Sequence, residues 1–530
     1  MDKSMLKPLG RIASIIHRFI EFIARWLFLA AAEITGKPEV MPPINNNITM
    51  HNTQALAMMI RQKKLKCVDV MNAYIERIET VQPILNCVAE DRFKEALEEA
   101  KECDKLLNSP DAPSVEELEK NKPFFGVPFT TKDCIGVKNM KQTAGLLSRR
   151  NTRSERDAEA ISLMKKAGAI VIATTNVSEL AMWWESSNLV YGTTRNPYNT
   201  WHIVGGSSGG EGCIQAAAGV PFGIGSDIGG SIRMPCFFNG IFGHKPTKGV
   251  VSNDGQYPSA QTDEQKDLLA IGPMCRFATD LKPILKILAG ENAEKLDLNA
   301  KVDLSKLKFY YMEDDGGQFL VSPVSKDIKL AMSKLLYTLE IAHNVKAEKI
   351  KIKKFKKGLA LWFANMTSPE GKDFAWELSN RKGRLSIWWE FVKWLTRTGS
   401  HTFVAISTAA FEGLSMRFND TKRAQLLEES KDLRREFSDL LGTNGVFLYP
   451  THPTPAAFHH EPLLKPFNFA YTAIINVLGF PATACPLGFS NGLPIGIQVV
   501  AGLYQDHLSL AVAEEIERAF GGWQMPPVKP

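Results

Sequence analysis

Apolar residues recur at intervals of three and four along two stretches in the first part of the chain. These stretches are TQALAMMIRQKKLKCVDVMNAYIERIETVQP at 53–83 and DRFKEALEEAKECDKLLN at 91–108. Such spacing places the apolar side chains on one face of a helix. Both stretches are therefore predicted to be amphipathic helices that pack on a core.

Other apolar runs are typical of buried strands. DAEAISLMKKAGAIVIATTN at 157–176 begins with helical spacing, passes a glycine and ends in a run rich in β-branched residues. That order predicts a helix leading into a buried strand, as in α/β folds. FFGVPFTTKD at 124–133 and GLPIGIQVVA at 492–501 are predicted to be further buried segments. The pattern as a whole favours an α/β protein.

The stretch KAEKIKIKKFKKG at 346–358 alternates lysine with isoleucine in its first half. This alternation predicts a strand with one face in water. Lysine commonly protects an edge strand from pairing, so we favour an exposed edge strand over a binding site for anionic lipid.

The segment RIASIIHRFIEFIARWLFLAAAE at 11–33 is apolar except for a narrow stripe. The stripe consists of Arg11, Ser14, Arg18, Glu21 and Arg25. A helix over 12–35 would be about 36 Å long, enough to cross a bilayer, but each charge would cost roughly 3 kcal/mol at mid-membrane. We expect residues 1–36 to form a membrane-associated helix, interfacial or single-pass. The alternative is an amphipathic helix packed on its own domain.

A linker rich in Pro and Asn is expected at 37–49, followed by one large domain over 50–530. Within that domain, the segment 385–414 places several Trp and Phe residues beside Arg and Lys. Aromatic and basic side chains together suit the headgroup region of a bilayer, so this segment is a second candidate for membrane contact. Two core helices of a large enzyme are the alternative interpretation.

Composition narrows the classes of function. Of 530 residues, 44% are hydrophobic and 23% charged, and the net charge is +6. These values are ordinary for a folded protein, and no segment has the character of a basic nucleic-acid-binding arm, so we expect no nucleic-acid partner. The eight cysteines are scattered without a C-x-x-C pair, so we expect neither a disulfide framework nor a metal site.

The stretch IVGGSSGGEG at 203–212 fits the G-x-S-x-G pattern of a nucleophile elbow, with Ser207 as the nucleophile. An elbow needs a strand before the serine, and the preceding residues are poor in strand formers. It also needs a later histidine, for which His452, His459, His460 and His507 are available. His452, His459 and His460 fall in THPTPAAFHH (451–460), which is predicted to be a solvent-exposed loop. The elbow stays open as one interpretation.

A second arrangement uses Ser231, which follows two glycines in GSDIGGSIRMP. Paired glycines allow several backbone N–H groups to converge, as an oxyanion hole requires. Lys132, in the apolar setting GVPFTTKDCIG, is a candidate base, because burial penalises an ammonium ion and lowers its pKa. The hydroxyl of Ser207 could pass the proton between them, since a hydroxyl both donates and accepts. Pairing of Lys132 with a carboxylate and helix capping by Ser207 are the structural alternatives.

These residues lie inside a longer pattern. GVPFTTKD, GGSSGGEG and GSDIGGSIRMP…GIFGHKPT resemble the glycine- and serine-rich signature of the amidase signature family, and the resemblance extends over roughly residues 50–520. It implies the family's α/β fold: a central twisted mixed β-sheet surrounded by helices. It also implies a Ser-cisSer-Lys triad, in which Ser231 is the nucleophile, Ser207 the bridging serine and Lys132 the base.

The same resemblance assigns further roles within the site. It implies an oxyanion hole formed by the N–H groups of Ile228, Gly229, Gly230 and Ser231. Ser208 is expected to steady Lys132, and Asp227 and Arg233 to pair and hold the glycine loop. Ala181, Met182 and Trp184 align with positions that border an acyl channel. No metal or organic cofactor is implied.

Together with the apolar N-terminal helix, the resemblance predicts a membrane-associated hydrolase of fatty-acid amides, such as N-acylethanolamines (anandamide) and primary amides (oleamide). Its location is expected to be an endomembrane or a lipid droplet, and its partners the lipid substrate, the membrane and a second copy of the chain. The rival is a soluble amidase, or an amidotransferase subunit, that acts on a small polar amide. A histidine-dependent esterase and a non-catalytic membrane scaffold are two further competing classes.

Overall fold

The computed structural model of the protein describes residues 23–24, 26–30, 33–34, 36–318, 320–367, 372–415 and 420–529. Most of the predicted membrane-associated helix, including residues 1–22, lies outside these ranges. The described residues between 23 and 34 are helical. No helix in the described part of the chain combines the length and the apolar character that crossing a membrane demands.

A mixed β-sheet, eleven-stranded in the described residues, forms the centre of the fold. In chain order the strands of the molecule are β1 Val88–Asp91, β2 Pro128–Lys132, β3 Ile170–Thr175, β4 Ser187–Asn188, β5 Gly192–Thr193, β6 Phe222–Asp227, β7 Phe242–Lys245, β8 Ala270–Cys275, β9 Lys308–Tyr311, β10 Glu348–Lys349, β11 Gly445–Pro450, β12 Ala482–Ser490 and β13 Leu493–Ala501. The order across the sheet is β1-β3-β2-β6-β8-β7-β12-β13-β11-β9-β10, and β4 pairs with β5 as a separate ribbon.

Helices surround this sheet. They are α1 Thr53–Arg61, α2 Cys67–Leu85, α3 Phe93–Leu107, α4 Val115–Asn121, α5 Glu159–Lys166, α6 Gly209–Ala216, α7 Arg233–Asn239, α8 Asp263–Leu268, α9 Ala278–Leu288, α10 Lys326–His343, α11 Gly358–Met366, α12 Phe374–Leu378, α13 Ile387–Leu395, α14 Phe403–Ser415, α15 Asp420–Leu441, α16 Ala470–Leu478 and α17 Asp506–Phe520. The predicted fold class, an α/β protein with a mixed central sheet enclosed by helices, is confirmed.

The strand that matters most for the site is β2, which lies between β3 and β6 and is parallel to both. All five of its residues are buried, and so are all six of β3 and of β6. Strands buried on both faces need not alternate polar and apolar residues. Of the three, only β3 (IVIATT) is a mainly apolar run, whereas β2 (PFTTK) and β6 (FGIGSD) carry polar residues into the buried sheet. The predicted helix-to-strand unit at 157–176 is confirmed as α5 followed by β3.

The lysine-rich segment at 346–358 is predicted from the sequence to be one edge strand, and only part of that prediction is right. A strand does lie at the sheet edge, but it is limited to Glu348–Lys349 beside β9. Residues Lys353–Lys357 form a 3-10 helix instead. The reason is tertiary: Phe355 is buried, and Lys354 and Lys357 pair with carboxylates of α15, which draws the chain away from the sheet.

The loop at 451–460 is predicted from the sequence to be solvent-exposed, and this prediction is wrong. Its first residues are buried, and the His452 ring packs 4.8 Å from the Phe238 ring and 5.1 Å from the Trp184 ring. Burial lowers the pKa of His452 to about 3, so the ring stays neutral. A stretch rich in proline and histidine is typical of a surface loop. Here, aromatic side chains from distant elements pack over its first residues.

The segment expected to be a linker, 37–49, lies against the large domain. Met41 is buried and forms a parallel β-bridge with Val528. The Arg77 guanidinium of α2 donates to the carbonyls of Pro42 and Pro43. The route from the N-terminal helix to the domain is therefore held by backbone and side-chain hydrogen bonds.

The aromatic segment at 385–414 folds as α13 and α14, which pack against each other. The Trp388 side chain is 75% exposed and that of Trp389 is 59% exposed. A contiguous chain of rings runs inward from this surface, because Trp388 stacks on Phe391 and both Phe391 and Trp394 contact Phe403. The segment thus combines an exposed aromatic surface with an inward-facing wall.

Candidate active site

Lys132 is the last residue of β2 and is 1% exposed, with its amine at the carboxyl end of a buried strand. Burial lowers the pKa of this amine. Cys134, Asp227 and Glu211 act in the opposite direction and raise that pKa. Desolvation is the larger influence, so the site favours an uncharged lysine more than water does.

Two hydroxyl groups and one carbonyl surround the Lys132 amine. Its Nζ lies 2.7 Å from Ser207 Oγ, 3.1 Å from Ser226 Oγ and 3.3 Å from the Ser226 carbonyl oxygen. The carbonyl only accepts hydrogen bonds, whereas each hydroxyl both donates and accepts. A neutral amine can therefore donate to the carbonyl and accept from one hydroxyl. The arrangement suits an amine that exchanges a proton with Ser207.

The resemblance implies that Ser208 steadies Lys132, but the side chain that contacts the Lys132 amine besides Ser207 is Ser226. The Ser208 hydroxyl instead donates to the Ser226 carbonyl oxygen at 3.3 Å. Ser226 lies in the motif GSDIGGSIRMP, but nothing in that motif shows that its side chain faces Lys132. It faces Lys132 because β6 is the parallel neighbour of β2.

Ser207 and Ser208 lie immediately before α6, and the Gly206–Ser207 peptide bond is cis. Gly206 is required here by close packing, since a Cβ on it would lie 2.4 Å from the Trp183 carbonyl oxygen. The Ser208 N–H donates to the Ser231 carbonyl at 3.2 Å. This bond joins the two glycine-serine motifs, which are separate in the sequence but adjacent in space.

The second motif forms a loop wrapped around the Asp227 carboxylate. This carboxylate accepts hydrogen bonds from the backbone N–H groups of Gly230, Ile232 and Arg233 at 2.7, 3.1 and 3.4 Å. It also accepts from the Arg233 side chain, at 3.0 Å from Nη2 and 3.1 Å from Nε. The loop therefore has a fully buried anion at its centre, and Asp227 and Arg233 lie together as a pair.

The Arg233 side chain is itself held by residues from the far end of the chain. Its guanidinium donates to Gln498 Oε1 at 2.7 Å, Asn476 Oδ1 at 2.6 Å and the Thr472 carbonyl at 3.1 Å. Burial alone would raise the pKa of Asp227, but the charge and hydrogen bonds of Arg233 outweigh it, and the pKa is well below its ordinary value. Asp227 is thus an anion at all working pH values.

The N–H groups expected to form the oxyanion hole are not all free. Gly230 donates its N–H to Asp227, so it is not available to a substrate in this structure. In the described part of the chain, the N–H groups of Ile228, Gly229 and Ser231 have no protein acceptor. Position 230 requires a glycine, because its φ is +124° and a Cβ there would lie 2.0 Å from Thr472 Oγ1.

Two side chains that sequence reasoning missed bind the carbonyl side of this loop. The Trp362 indole Nε1 donates to the Ile228 carbonyl at 2.8 Å. Thr472 Oγ1 donates to the Gly229 carbonyl at 2.7 Å, the shorter of its two carbonyl contacts, the other being to the Phe469 carbonyl of its own helix turn at 2.9 Å. Trp362 lies on α11 and Thr472 on α16, and the two helices pack against each other.

Lys132, Ser207 and Ser231 line one cavity of about 580 Å³. The predicted channel residues Ala181, Met182 and Trp184 line the same cavity. Aromatic side chains form much of the remaining wall, namely Trp183, Trp362, Phe363, Phe403, Phe411, Phe467 and Phe469. A cavity with this volume and lining suits a long apolar group at a small polar centre.

The histidines that an elbow mechanism would need make other contacts. His459 pairs with Glu185 at 2.9 Å, and the ring of His507 bonds the Leu296 carbonyl. Ser207 has Lys132 as its near base, and within the described ranges no strand leads into it. The α/β-hydrolase interpretation is therefore wrong. Among the described residues, no group of three His, Cys, Asp or Glu side chains is arranged to hold a metal ion.

Comparison with known proteins identifies the family. The family model described as Amidase matches residues 69–510. Fatty-acid amide hydrolase 2 of Homo sapiens is 46% identical, covering 98% of this chain and 97% of the relative. Fatty-acid amide hydrolase 2-A of Danio rerio is 45% identical, covering 96% of this chain and 98% of the relative. A solved structure of a fatty acid amide hydrolase matches with a TM-score of 0.73 at 22% identity, over 91% of this chain and 87% of the other.

The buried Asp227–Arg233 pair generates a test of the loop. We expect Asp227→Asn to lower the free energy of unfolding by about 3–5 kcal/mol, because it leaves the Arg233 charge buried without its partner. Asp254→Asn is the matched control, since Asp254 binds Arg156 through two hydrogen bonds at the surface. This control should cost at most about 1 kcal/mol. Urea denaturation followed by fluorescence measures both, and equal losses would contradict the role of Asp227.

Proposed function

Because the chain belongs to the amidase signature family and is an amide-hydrolysing enzyme, we propose that it cleaves fatty-acid amides through a Lys132–Ser207–Ser231 relay. One observation carries the proposal: a buried lysine amine lies 2.7 Å from a serine hydroxyl on a large, mainly aromatic cavity. The products are a free fatty acid and an amine.

Acylation begins at the lysine. The Lys132 lone pair takes the proton of the Ser207 hydroxyl, while the Ser207 oxygen takes the proton of Ser231. The Ser231 oxygen then forms a bond to the amide carbon, and the carbonyl electron pair moves onto oxygen. The N–H groups of Ile228, Gly229 and Ser231 stabilise this oxyanion. Each such donor contributes roughly 3–4 kcal/mol to the transition state.

Expulsion of the amine reverses the proton path. The oxyanion reforms the carbonyl, the C–N bond breaks, and the nitrogen receives the Ser207 proton as Lys132 returns its own to Ser207. An amine leaves poorly without a proton, so this step needs the relay. Water then attacks the acyl-enzyme by the same route, releasing the fatty acid and restoring Ser231.

The choice of a lipid over a small polar amide follows from the cavity wall and from the names of the relatives. Aromatic and aliphatic side chains dominate the lining beyond the Lys132 centre. Burying a long acyl chain there is favourable by about 0.8 kcal/mol per methylene group. A glutamine-sized substrate would leave most of a 580 Å³ cavity unfilled. Two relatives at 45–46% identity carry the name fatty-acid amide hydrolase 2.

Substrate entry from a membrane follows from the surface next to the cavity. Trp388, Trp389 and Leu395 of α13 are exposed, and Lys393 and Arg397 lie among them. Indole rings with basic neighbours partition into the headgroup region. Because the rings continue inward to Phe403, which lines the cavity, we propose that α13 docks on the membrane and that lipid amides pass along α14.

Turnover by the detergent-solubilised full chain is the direct test of the substrate class. Oleamide and anandamide should both be hydrolysed, and Ser231→Ala should lose at least about 1,000-fold in kcat because it removes the nucleophile. Release of oleic acid, followed by mass spectrometry, measures both rates. Glutamine serves as the small polar comparison: hydrolysis of glutamine without either lipid would contradict the lipid assignment but leave the triad intact.

The charge of Lys132 predicts how the rate depends on pH. Protonation removes the lone pair, so kcat/KM should fall about tenfold for each pH unit below the Lys132 pKa. Since burial lowers that pKa, the acidic limb should begin well below the ordinary lysine value of about 10.4. Lys132→Arg is the decisive variant, because arginine stays protonated and cannot supply the lone pair of a neutral lysine. Substantial activity in Lys132→Arg would contradict a neutral base.

Docking through α13 predicts a loss of vesicle binding when its exposed indoles are removed. Replacing Trp388 and Trp389 together by Ser should weaken binding to phosphatidylcholine vesicles about tenfold, since two exposed indoles lose their interfacial site. The matched control replaces Leu330 and Tyr337 of α10, which are also exposed, by Ser. Sedimentation with vesicles measures both. Equal binding of the two double variants would contradict docking through α13.

A further inference from the structure

The oxyanion loop has two peptide groups whose carbonyl oxygens are each held by a side chain from elsewhere in the chain. Trp362 donates to the Ile228 carbonyl at 2.8 Å, and Thr472 donates to the Gly229 carbonyl at 2.7 Å. Residues 228 and 362 are separated by 134 positions, and residues 229 and 472 by 243. The loop is therefore oriented by helices that contribute nothing to the Lys132 relay.

The geometry of the peptide bond converts these contacts into control of the N–H groups. In a planar trans peptide the C=O and the following N–H point in opposite directions. Holding the Ile228 carbonyl therefore fixes the direction of the Gly229 N–H. Holding the Gly229 carbonyl fixes the direction of the Gly230 N–H, which donates to Asp227. Trp362 thus fixes the direction of the Gly229 N–H, an oxyanion donor. Thr472 fixes the direction of the Gly230 N–H, whose hydrogen bond to Asp227 anchors the loop.

We propose that Trp362 and Thr472 are positioning residues that hold the oxyanion loop in the geometry of the tetrahedral intermediate. The proposal rests on the proposed function of this site. Trp362 stabilises the direction of the Gly229 N–H, and Thr472 keeps the next peptide against the Asp227 carboxylate. Neither side chain transfers a proton or bonds to the reacting atoms.

Close packing around Trp362 holds its indole in one orientation against the Ile228 carbonyl. Its side chain is 5% exposed, and a Cβ on Gly229 would lie 3.4 Å from the indole ring. The ring makes edge contacts with Phe363 at 5.0 Å and Phe469 at 5.1 Å between centroids. Both neighbours also line the cavity. The indole is therefore held in the orientation in which its N–H meets the Ile228 carbonyl.

A purely structural role predicts a different kinetic pattern. If Trp362 only filled the cavity wall, its loss would weaken every ligand with an acyl chain to the same extent. If it positions the oxyanion donor, its loss affects ligands with an oxyanion far more than ligands without one. A trifluoromethyl ketone with an oleoyl chain forms a tetrahedral adduct with a serine, whereas oleic acid does not.

The experiment compares Trp362→Phe and Thr472→Val with the wild type in the full-length protein. Each variant should lose about tenfold in kcat on oleamide, and its affinity for the oleoyl trifluoromethyl ketone should fall by the same factor. The affinity for oleic acid should change less than about twofold. Thr472→Ser keeps the hydroxyl and should restore the activity that Thr472→Val loses. Phe403→Leu is the control: Phe403 lines the cavity and its ring contacts Phe391 and Trp394, so this change should weaken the ketone and oleic acid equally.

Thermal denaturation of each variant separates loss of folding from loss of positioning. If Trp362→Phe fails to fold, the Thr472→Val and Thr472→Ser pair decides the outcome. Parallel weakening of ketone and oleic acid, or full activity in both Trp362→Phe and Thr472→Val, would overturn the positioning role. Wild-type enzyme without activity on either lipid amide would instead overturn the proposed substrate class, so the two failures are distinguishable.

Discussion

The exclusion of water from the Lys132 amine is the constraint on which the site depends. A lysine in water is an ammonium ion at neutral pH and cannot accept a proton. Placing it at the end of a strand buried on both sides makes the ion costly and lowers its pKa. The neighbouring carboxylates, Asp227 and Glu211, oppose this effect, and each is engaged elsewhere: Asp227 by Arg233, and Glu211 by Thr130, Thr175 and Gln215.

Many polar side chains are buried near the site because the charges around Lys132 have to be neutralised. Asp227 needs Arg233, and Arg233 in turn needs Gln498, Asn476 and the Thr472 carbonyl to satisfy its remaining donors. A buried ion pair is costly unless such hydrogen bonds complete it. The same network shapes the loop that carries Ser231, so one set of contacts supports the surroundings of both Lys132 and Ser231. Thr472 belongs to this network through its carbonyl, and its hydroxyl binds the Gly229 carbonyl of the same loop.

The cavity has one polar end and a mainly apolar wall, and the wall is shared with surface helices. Phe403 of α14 lines the cavity and contacts Trp394 of α13, whose neighbours Trp388 and Trp389 are exposed. Apolar side chains so exposed are unfavourable in water unless another apolar surface covers them. The fold thereby connects the dry environment around Lys132 with an exposed aromatic surface.

Local patterns in the sequence determined much of this protein. The buried strands at 128–132, 170–175 and 493–501, and the motifs around Lys132, Ser207 and Ser231, are each visible in a short stretch, because periodicity and glycine spacing act locally. Only the tertiary structure decided that Ser226 faces Lys132, that Gly230 donates to Asp227 rather than remaining free, that 353–357 is helical and that His452 is buried. The contacts of Trp362 and Thr472 with the loop could not be predicted from the sequence either. Each of these outcomes depends on contacts between residues distant in the chain, and such contacts form only when helices and strands pack together.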